Sequence, residues 1–240
     1  MRIHRFYIEN IEINSENIVV THETDLIHQL KNVFRYKVGH IIHFFNEKIG
    51  EIEVEILEIG KKDMSFKYIR HIRDATDNKT QKRQISLYMS IIKNSNFEFI
   101  VEKAVELGIY QIIPVTTERT IKNNLNYVRL NKIVKEATEQ SGRAGLMKIG
   151  ETVDLSNALK KSKETSDKIY FGSVDQNDNR EQDKTYCLAK IALFIGPEGG
   201  YSNDEVVLFI DNKVSTLRLG DNILRAETAA IVACGLLSLQ

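Results

Sequence analysis

Three loops hold the residues whose types and spacing could do chemistry. The first lies in Ala192–Asp204, ALFIGPEGGYSND, where an apolar strand runs straight into Gly196, Pro197, Glu198, Gly199 and Gly200. Ser202 or Asn203 then caps a helix. Glycines at this density let the backbone turn sharply and approach a ligand closely. Neither a Gly-Lys-Ser/Thr ending nor a G-x-G-x-x-G spacing is present, so the pattern is not one that cradles phosphates. A flat, phosphate-free ligand such as an adenosyl group suits it better; a tight structural turn is the plainer alternative. The second loop, Leu217–Thr228, reads LRLGDNILRAET and joins a strand to the last helix. Arg225, Glu227 and Thr228 are expected in that helix's first turn, where the helix dipole disfavours a cation such as Arg225. Pairing with Glu227 or Asp221 would also account for it. The third, Glu139–Arg143 (EQSGR), ends a helix. Gly142 suits a C-cap and Arg143 suits the dipole there, so a structural role covers both.

The rest of the composition limits the chemistry. All six histidines fall within the first 71 residues: His4, His22, His28, His40, His43 and His71. Ser-His-Asp or Cys-His catalysis is therefore not expected in the C-terminal part, nor is a His-rich metal centre. His40 and His43 near Glu47 could ligate a metal, but partly buried strand histidines are the favoured reading, and no metal is expected. Cys187 and Cys234 have no motif spacing, which implies neither a disulfide framework nor a zinc site and suggests a reducing, cytoplasmic setting. The 33 basic and 33 acidic residues balance. This argues against a tail-driven nucleic-acid binder and leaves room for a site-specific enzyme with local basic patches. No apolar run is long enough for a signal peptide or membrane span.

These loops need elements to position them. Length and a 42% hydrophobic fraction suit one or two globular domains. Residues 1–73 read as short strands at Gly39–Phe45, Ile52–Ile59 and Met64–Ile72, a small barrel or sandwich. One helix interrupts them, Thr24–Tyr36, with Leu26, Leu30, Val33 and Phe34 on one face. Residues 74–84 are a polar linker. The surrounding stretch Gly60–Arg83 is locally basic, through Lys61, Lys62, Lys67, Arg70, Arg73, Lys79, Lys82 and Arg83, and reads equally as a solvated face or an RNA-facing patch. From residue 85 to 240 the texture is α/β. Strands at Ile85–Ile92, Ile109–Val115, Lys168–Gly172, Ala189–Ile195 and Val214–Leu217 alternate with helices, which implies a parallel sheet. Ser95 or Asn96 would cap the first of these helices, and Gly108 would close it. The only prolines, Pro114 and Pro197, are expected at or just beyond strand ends, where ligand loops sit in open α/β sheets. The last helix, Leu224–Leu239, is apolar nearly all round, which suggests a homodimer partner covering it.

Taken together, GPEGG with Ser202, LxLGxxxLRxETA over Leu217–Ala229, and EQSGR resemble the RsmE family, ribosomal RNA uridine-N3 methyltransferases of the SPOUT class. Phe97–Ile109 (FEFIVEKAVELGI), Glu118–Arg119, the N-terminal RIHRFY and His28–Arg35 (HQLKNVFR) are further matches. Ser141, Phe34, Asn46–Glu47 and His4 depart from the usual pattern. The resemblance implies an α/β chain with an N-terminal PUA-like β-barrel and a SPOUT domain whose C-terminal segment forms a trefoil knot. It implies S-adenosylmethionine as cofactor, a homodimer, and 16S ribosomal RNA or the assembled small subunit as partner. The implied cofactor pocket is built from three loops, Val115–Arg119, Ile195–Gly200 and Leu217–Leu224 into Thr228, with Val115, Thr116, Ile195, Gly196, Pro197, Gly199, Gly200, Leu217, Leu219, Gly220, Ile223, Leu224 and Thr228 as its cofactor residues. Arg225 would stabilise the developing uridine anion, with Glu227 orienting it or relaying the proton. Arg5, Arg35, Arg73, Gln140 and Arg143 are the implied RNA contacts. The rival readings are a SPOUT methyltransferase acting on another RNA or on ribose 2′-oxygen, a non-catalytic RNA-binding or ribosome-assembly module, and a small-molecule enzyme with an α/β nucleotide site.

Overall fold

The computed structural model describes residues 3–74, 83–120, 124–173 and 190–238. Most of the expected linker, with Lys79 and Lys82, lies outside the described residues, as does Cys187. The chain divides into two units, Met1–Thr80 with Thr138–Leu146, and Gln81–Ala137 with Met147–Gln240.

The first unit is built on a five-stranded sheet that forms a half-barrel. Its strands are β1 (Arg5–Tyr7), β2 (Ile18–Thr21), β3 (Ile41–Asn46), β4 (Gly50–Ile59) and β5 (Met64–Arg73), in the order β1-β3-β4-β5-β2. Only the β1–β3 pair is parallel. Alternation along β4 puts Ile52, Val54 and Ile56 into a core with Phe6, Phe44 and Phe66. Glu51 and Glu53, one step out of phase, are also buried, at 3% and 6% exposure. The helix expected over 24–36 is shorter. Helix α1 (Thr24–His28) passes directly into a π-helical turn, Gln29–Val33, closed by the Phe34 amide donating to the Gln29 carbonyl. That wider turn shifts the helical phase. Leu26 and Leu30 stay in the core, but Val33 turns out to 63% exposure. The chain then leaves the helix through Arg35 at φ +54°.

The second unit is a parallel α/β sheet. Its elements are β6 (Gln84–Ser90), α2 (Asn94–Glu106), β7 (Gln111–Thr116), α3 (Tyr127–Ser141), the short strands β8 (Lys148–Ile149) and β9 (Val153–Asp154), α4 (Leu155–Thr165), β10 (Lys168–Ser173), β11 (Lys190–Ile195), α5 (Asn203–Asp211), β12 (Ser215–Arg218) and α6 (Ala226–Ser238). The last residues of α3 group with the first unit. Strand order is β12-β10-β11-β6-β7-β8, with β9 also on β7. The chain runs from β6 towards β7 and β8, then returns to build the other half from β11, β10 and β12. The order therefore reverses between β6 and β11, and ligands bind beyond the carboxyl ends of strands at such a point. Central strands buried on both faces read as continuous apolar runs, and Tyr88 of β6 stacks on Phe194 of β11 at 4.5 Å. After the edge strand β12, α6 packs back on α2, β6 and β11.

Three expectations are corrected here. Pro114 lies inside β7, paired with Met89, not at its end. The Val115 carbonyl points to the β6 side and the Ile112 carbonyl to the other side. Residue 114 therefore faces away from β6, into the interval between β8 and β9, where its missing N–H breaks no ladder bond. Helix α2 starts at Asn94, ahead of the expected Ser95 or Asn96 cap, because the Lys93 carbonyl already accepts from the Asn96 and Phe97 amides. Helix α6 starts at Ala226 and not at Leu224. Arg225 precedes it, and its carbonyl accepts from the Ala229 amide at 2.8 Å.

Candidate functional site

A cavity of about 920 Å³ opens where β10, β11 and β12 end. Its walls come from the loop after β11, the face of α5 with Val206, Val207 and Ile210, the loop after β12 with the start of α6, the end of β10 at Gly172 and Ser173, and Arg119 beyond β7. Of the thirteen cofactor residues expected, nine line it: Ile195, Gly196, Pro197, Gly199, Gly200, Leu219, Gly220, Ile223 and Leu224. Val115, Thr116, Leu217 and Thr228 do not. Val115 and Leu217 are buried within their strands, while Thr116 and Thr228 are exposed. Arg225 is exposed and Glu227 half-buried, and they flank Ala226, which does line the cavity.

Local backbone chemistry explains why the walls are glycine. Gly200 has φ +67° and Gly220 φ +125°, both in the region that side chains avoid. A Cβ on Gly196 would stand 3.2 Å from the Tyr201 ring, and one on Gly172 would stand 3.0 Å from Ile195. These positions are bare because the backbone itself forms the surface. Tyr201 also lines the cavity, and burial pushes its hydroxyl well above the ordinary tyrosine range, so it stays protonated.

The loops are tied to one another. Ser202 caps α5 in a reciprocal box, its hydroxyl accepting from the Glu205 amide and the Glu205 carboxylate accepting from the Ser202 amide at 2.8 Å. The other Glu205 oxygen accepts from the Glu118 amide at 2.8 Å. Next along, Arg119 Nη1 donates to the Gly199 carbonyl at 2.8 Å. One carboxylate and one guanidinium thus fix the loop after β7 against the loop after β11. In the remaining loop, Arg218 pairs with Asp221.

The residues expected to contact RNA are placed differently. In the first unit Glu51 accepts from Arg5 Nε at 2.9 Å, from His43 Nδ1 at 2.7 Å and from Arg73 Nε at 2.7 Å. Arg5 donates onward to the Arg143 carbonyl at 3.0 Å, and Arg73 to the Gly142 carbonyl at 2.5 Å. Arg70 pairs with Glu53 at 3.0 Å, so part of the basic stretch is neutralised by β4. Gly142 has φ +80°, the C-cap conformation its position suggested. Glu139 accepts from the Tyr7 amide, and Arg143 is half-buried, its pKa lowered by desolvation. Arg35 and Gln140 are exposed. His43 is bonded to Glu51 and Glu53, and among the described residues no group of His, Cys, Asp and Glu is placed to hold a metal ion. No described helix is long and apolar enough to cross a membrane.

Residues 79–238 match the model of the RNA methyltransferase domain family. A ribosomal RNA small subunit methyltransferase E from Rickettsia conorii is 32% identical over 236 residues, 97% of this chain and 94% of that protein. The chain belongs to the RNA methyltransferase family, in the small subunit methyltransferase E group. Two solved structures are similar over the whole length of this family member. A Legionella pneumophila protein described as a methyltransferase, solved with bound SAM, has a TM-score of 0.87 at 25% identity, covering 100% of this chain and 98% of that one. A small subunit methyltransferase E from Neisseria gonorrhoeae, bound to S-adenosyl methionine, has a TM-score of 0.84 at 26% identity, covering 99% and 98%. For this methyltransferase-family chain, Phe171, Gly172, Tyr201 and Val206 are among the lining residues that the expected set left out, and Arg119 enters that expectation only as the end of the Val115–Arg119 loop.

Proposed function

We propose that this chain transfers a methyl group from S-adenosylmethionine to N3 of a uridine in small-subunit ribosomal RNA. The observation that carries the reading is the glycine-walled cavity at the carboxyl ends of β10–β12, in a chain whose relatives are named for small-subunit ribosomal RNA and whose structural neighbours hold this cofactor; uridine N3 comes from the family resemblance. The residues present suit such a group. Gly196, Gly200 and Gly220 leave backbone at the surface where a Cβ would intrude or strain the chain, and Ile195, Leu219 and Leu224 supply apolar walls for a flat adenosyl moiety.

When bound, the cofactor supplies a methyl group already activated by its sulfonium. What the chain must add is position more than acid–base power, which agrees with a second unit that contains no histidine. Ile195, Leu219 and Leu224 exclude water from the pocket. Arg225, exposed beside the wall residue Ala226, stabilises the anion that develops as the uridine N3 proton leaves, and Glu227 orients Arg225 or takes the proton. The N3 edge is hidden in paired RNA, so the target is unpaired or flipped. Residues 1–73 act as a PUA-like RNA-binding barrel and 85–240 as a SPOUT catalytic domain, joined by 74–84. The return of α6 onto α2, β6 and β11 is consistent with a trefoil knot. Arg35, Gln140 and Arg143 contact RNA, whereas Arg5 and Arg73 act through the segment they hold. The protein works as a homodimer in the cytoplasm; exposed Leu236 with half-buried Ile231 and Val232 on α6 supports the dimer.

Calorimetric titration with S-adenosylmethionine tests the site. The reading expects saturable binding close to one molecule per chain; a folded protein that binds none, with and without RNA, overturns it.

A further inference from the structure

Among the described residues Arg119 is the one lysine or arginine that lines the cavity, and its surroundings leave it only partly used. Nη1 donates to the Gly199 carbonyl at 2.8 Å, and the side chain lies along Gly199, where a Cβ would meet its Cδ at 3.4 Å. Its backbone is held through its neighbour, since the Glu118 amide donates to Glu205. Among the described residues no carboxylate stands within ion-pair distance of Arg119, although Glu198 lines the same cavity. The Nε and Nη2 groups, which form one edge of the guanidinium, have no hydrogen-bond partner among the described residues.

A guanidinium that lines a cavity, anchored by one nitrogen and with a two-donor edge unused, is suited to bidentate capture of an oxyanion. The anchoring bond takes up in advance much of the rotamer entropy that a free arginine would lose on binding. Arg119 is exposed and has no carboxylate paired to it among the described residues, so an anionic group is the chemistry its unused donors fit.

We propose that Arg119 is the oxyanion-binding residue of this cavity, its Nε–Nη2 edge taking either the carboxylate of the bound cofactor or a backbone phosphate of the bound RNA. This rests on the methyltransferase reading, and it gives a specific contact to a residue that the resemblance places only at the end of the Val115–Arg119 loop.

Arg119→Ala and Arg119→Lys, each checked for an unchanged melting temperature, distinguish the two sources. The probes are S-adenosylmethionine, 5′-methylthioadenosine, which lacks the carboxylate, and small-subunit RNA. If the edge holds the carboxylate, Arg119→Ala weakens S-adenosylmethionine binding about tenfold and leaves methylthioadenosine unchanged. If it holds a phosphate, cofactor affinity stays constant, KM for RNA rises about tenfold, and the salt slope of RNA binding falls by about one. In either case Arg119→Lys, with charge but no fork, recovers only part of the loss. The proposal is overturned if Arg119→Ala binds cofactor and RNA within twofold of an active parent protein. Failure of the parent itself to bind S-adenosylmethionine would instead remove the methyltransferase reading on which the proposal rests.

Discussion

Arg119 reaches across from the loop after β7 to hold the carbonyl of Gly199 in the loop after β11, at 2.8 Å. The bond joins two segments 80 residues apart, and Glu205 doubles it by accepting from the amides of Glu118 and Ser202. Removing that carboxylate should loosen both loops together. Glu205→Ala is expected to cost about 1–2 kcal/mol by the loss of a helix cap and one further hydrogen bond, read as a lower urea midpoint. Glu205→Gln, whose amide oxygen still accepts, should recover part of it.

Gly220 sets the shape of the loop after β12. At φ +125° no side chain is comfortable, although a Cβ there would meet nothing within 4 Å. Gly220→Ala should therefore act through backbone strain of about 1–3 kcal/mol and not through a clash. The loop can relieve this by shifting, so calorimetry should show weaker S-adenosylmethionine binding with little change in global melting.

Arg225 is assigned to charge stabilisation in the transition state, not to cofactor binding. Arg225→Ala should lower kcat about a hundredfold while leaving cofactor affinity unchanged, as losing one preorganised donor does elsewhere. Single-turnover kinetics with saturating RNA would measure this directly. Full turnover in the variant would exclude the role.

Glu51 makes the first unit sensitive to acid. Burial alone would raise its pKa, but hydrogen bonds from His43 and Arg5 and the charges of Arg5 and Arg73 outweigh burial and hold it below the ordinary 4.5. A carboxyl depressed in the folded state stabilises the protein above its unfolded pKa, and that contribution is lost as pH falls below 4.5 through the lowered value. Glu51→Gln should cost about 2 kcal/mol at neutral pH, because it leaves the half-buried Arg5 and Arg73 without their counter-charge. The difference from the parent should shrink in denaturant titrations at progressively lower pH.

Cys234 sits in α6 at 1% exposure, and burial pushes its thiol up to about 12. Reactivity follows the thiolate. In a Cys187→Ser background, a thiol reagent should find no reactive group in the native protein and one after denaturation.

Much of this arrangement was legible in the residues. The strand–glycine–helix run at Ala192–Asp204 and the paired loop at Leu217–Thr228 marked two walls of the cavity, because local backbone demands leave a local mark in glycines and caps. Other features were less legible for equally physical reasons. Whether Phe34 closes a normal or a wider turn depends on packing of Leu30 against strands far along the chain, so the π turn left no periodic signal. Pro114 looked like a strand end because its neutrality depends on β8 and β9, strands of two residues each. Arg119 stands beyond a strand with no glycine beside it, and its position in the cavity depends on the strand order, which sequence periodicity does not encode. Arg5 and Arg73 were expected to contact RNA; their half-buried bonds to Glu51 depend on the pairing of β1, β3, β4 and β5, which no local pattern encodes.

The central claim is methyl transfer to a uridine base in small-subunit RNA, and nucleoside mass spectrometry of that RNA tests it most directly. Small subunits from cells lacking the enzyme would be incubated with the protein and methyl-labelled S-adenosylmethionine, then digested to nucleosides. The account predicts label in 3-methyluridine, near one per subunit, appearing about a hundredfold more slowly with Arg225→Ala. Label in a ribose 2′-O-methyl nucleoside, or no label from a protein that binds the cofactor, would contradict it.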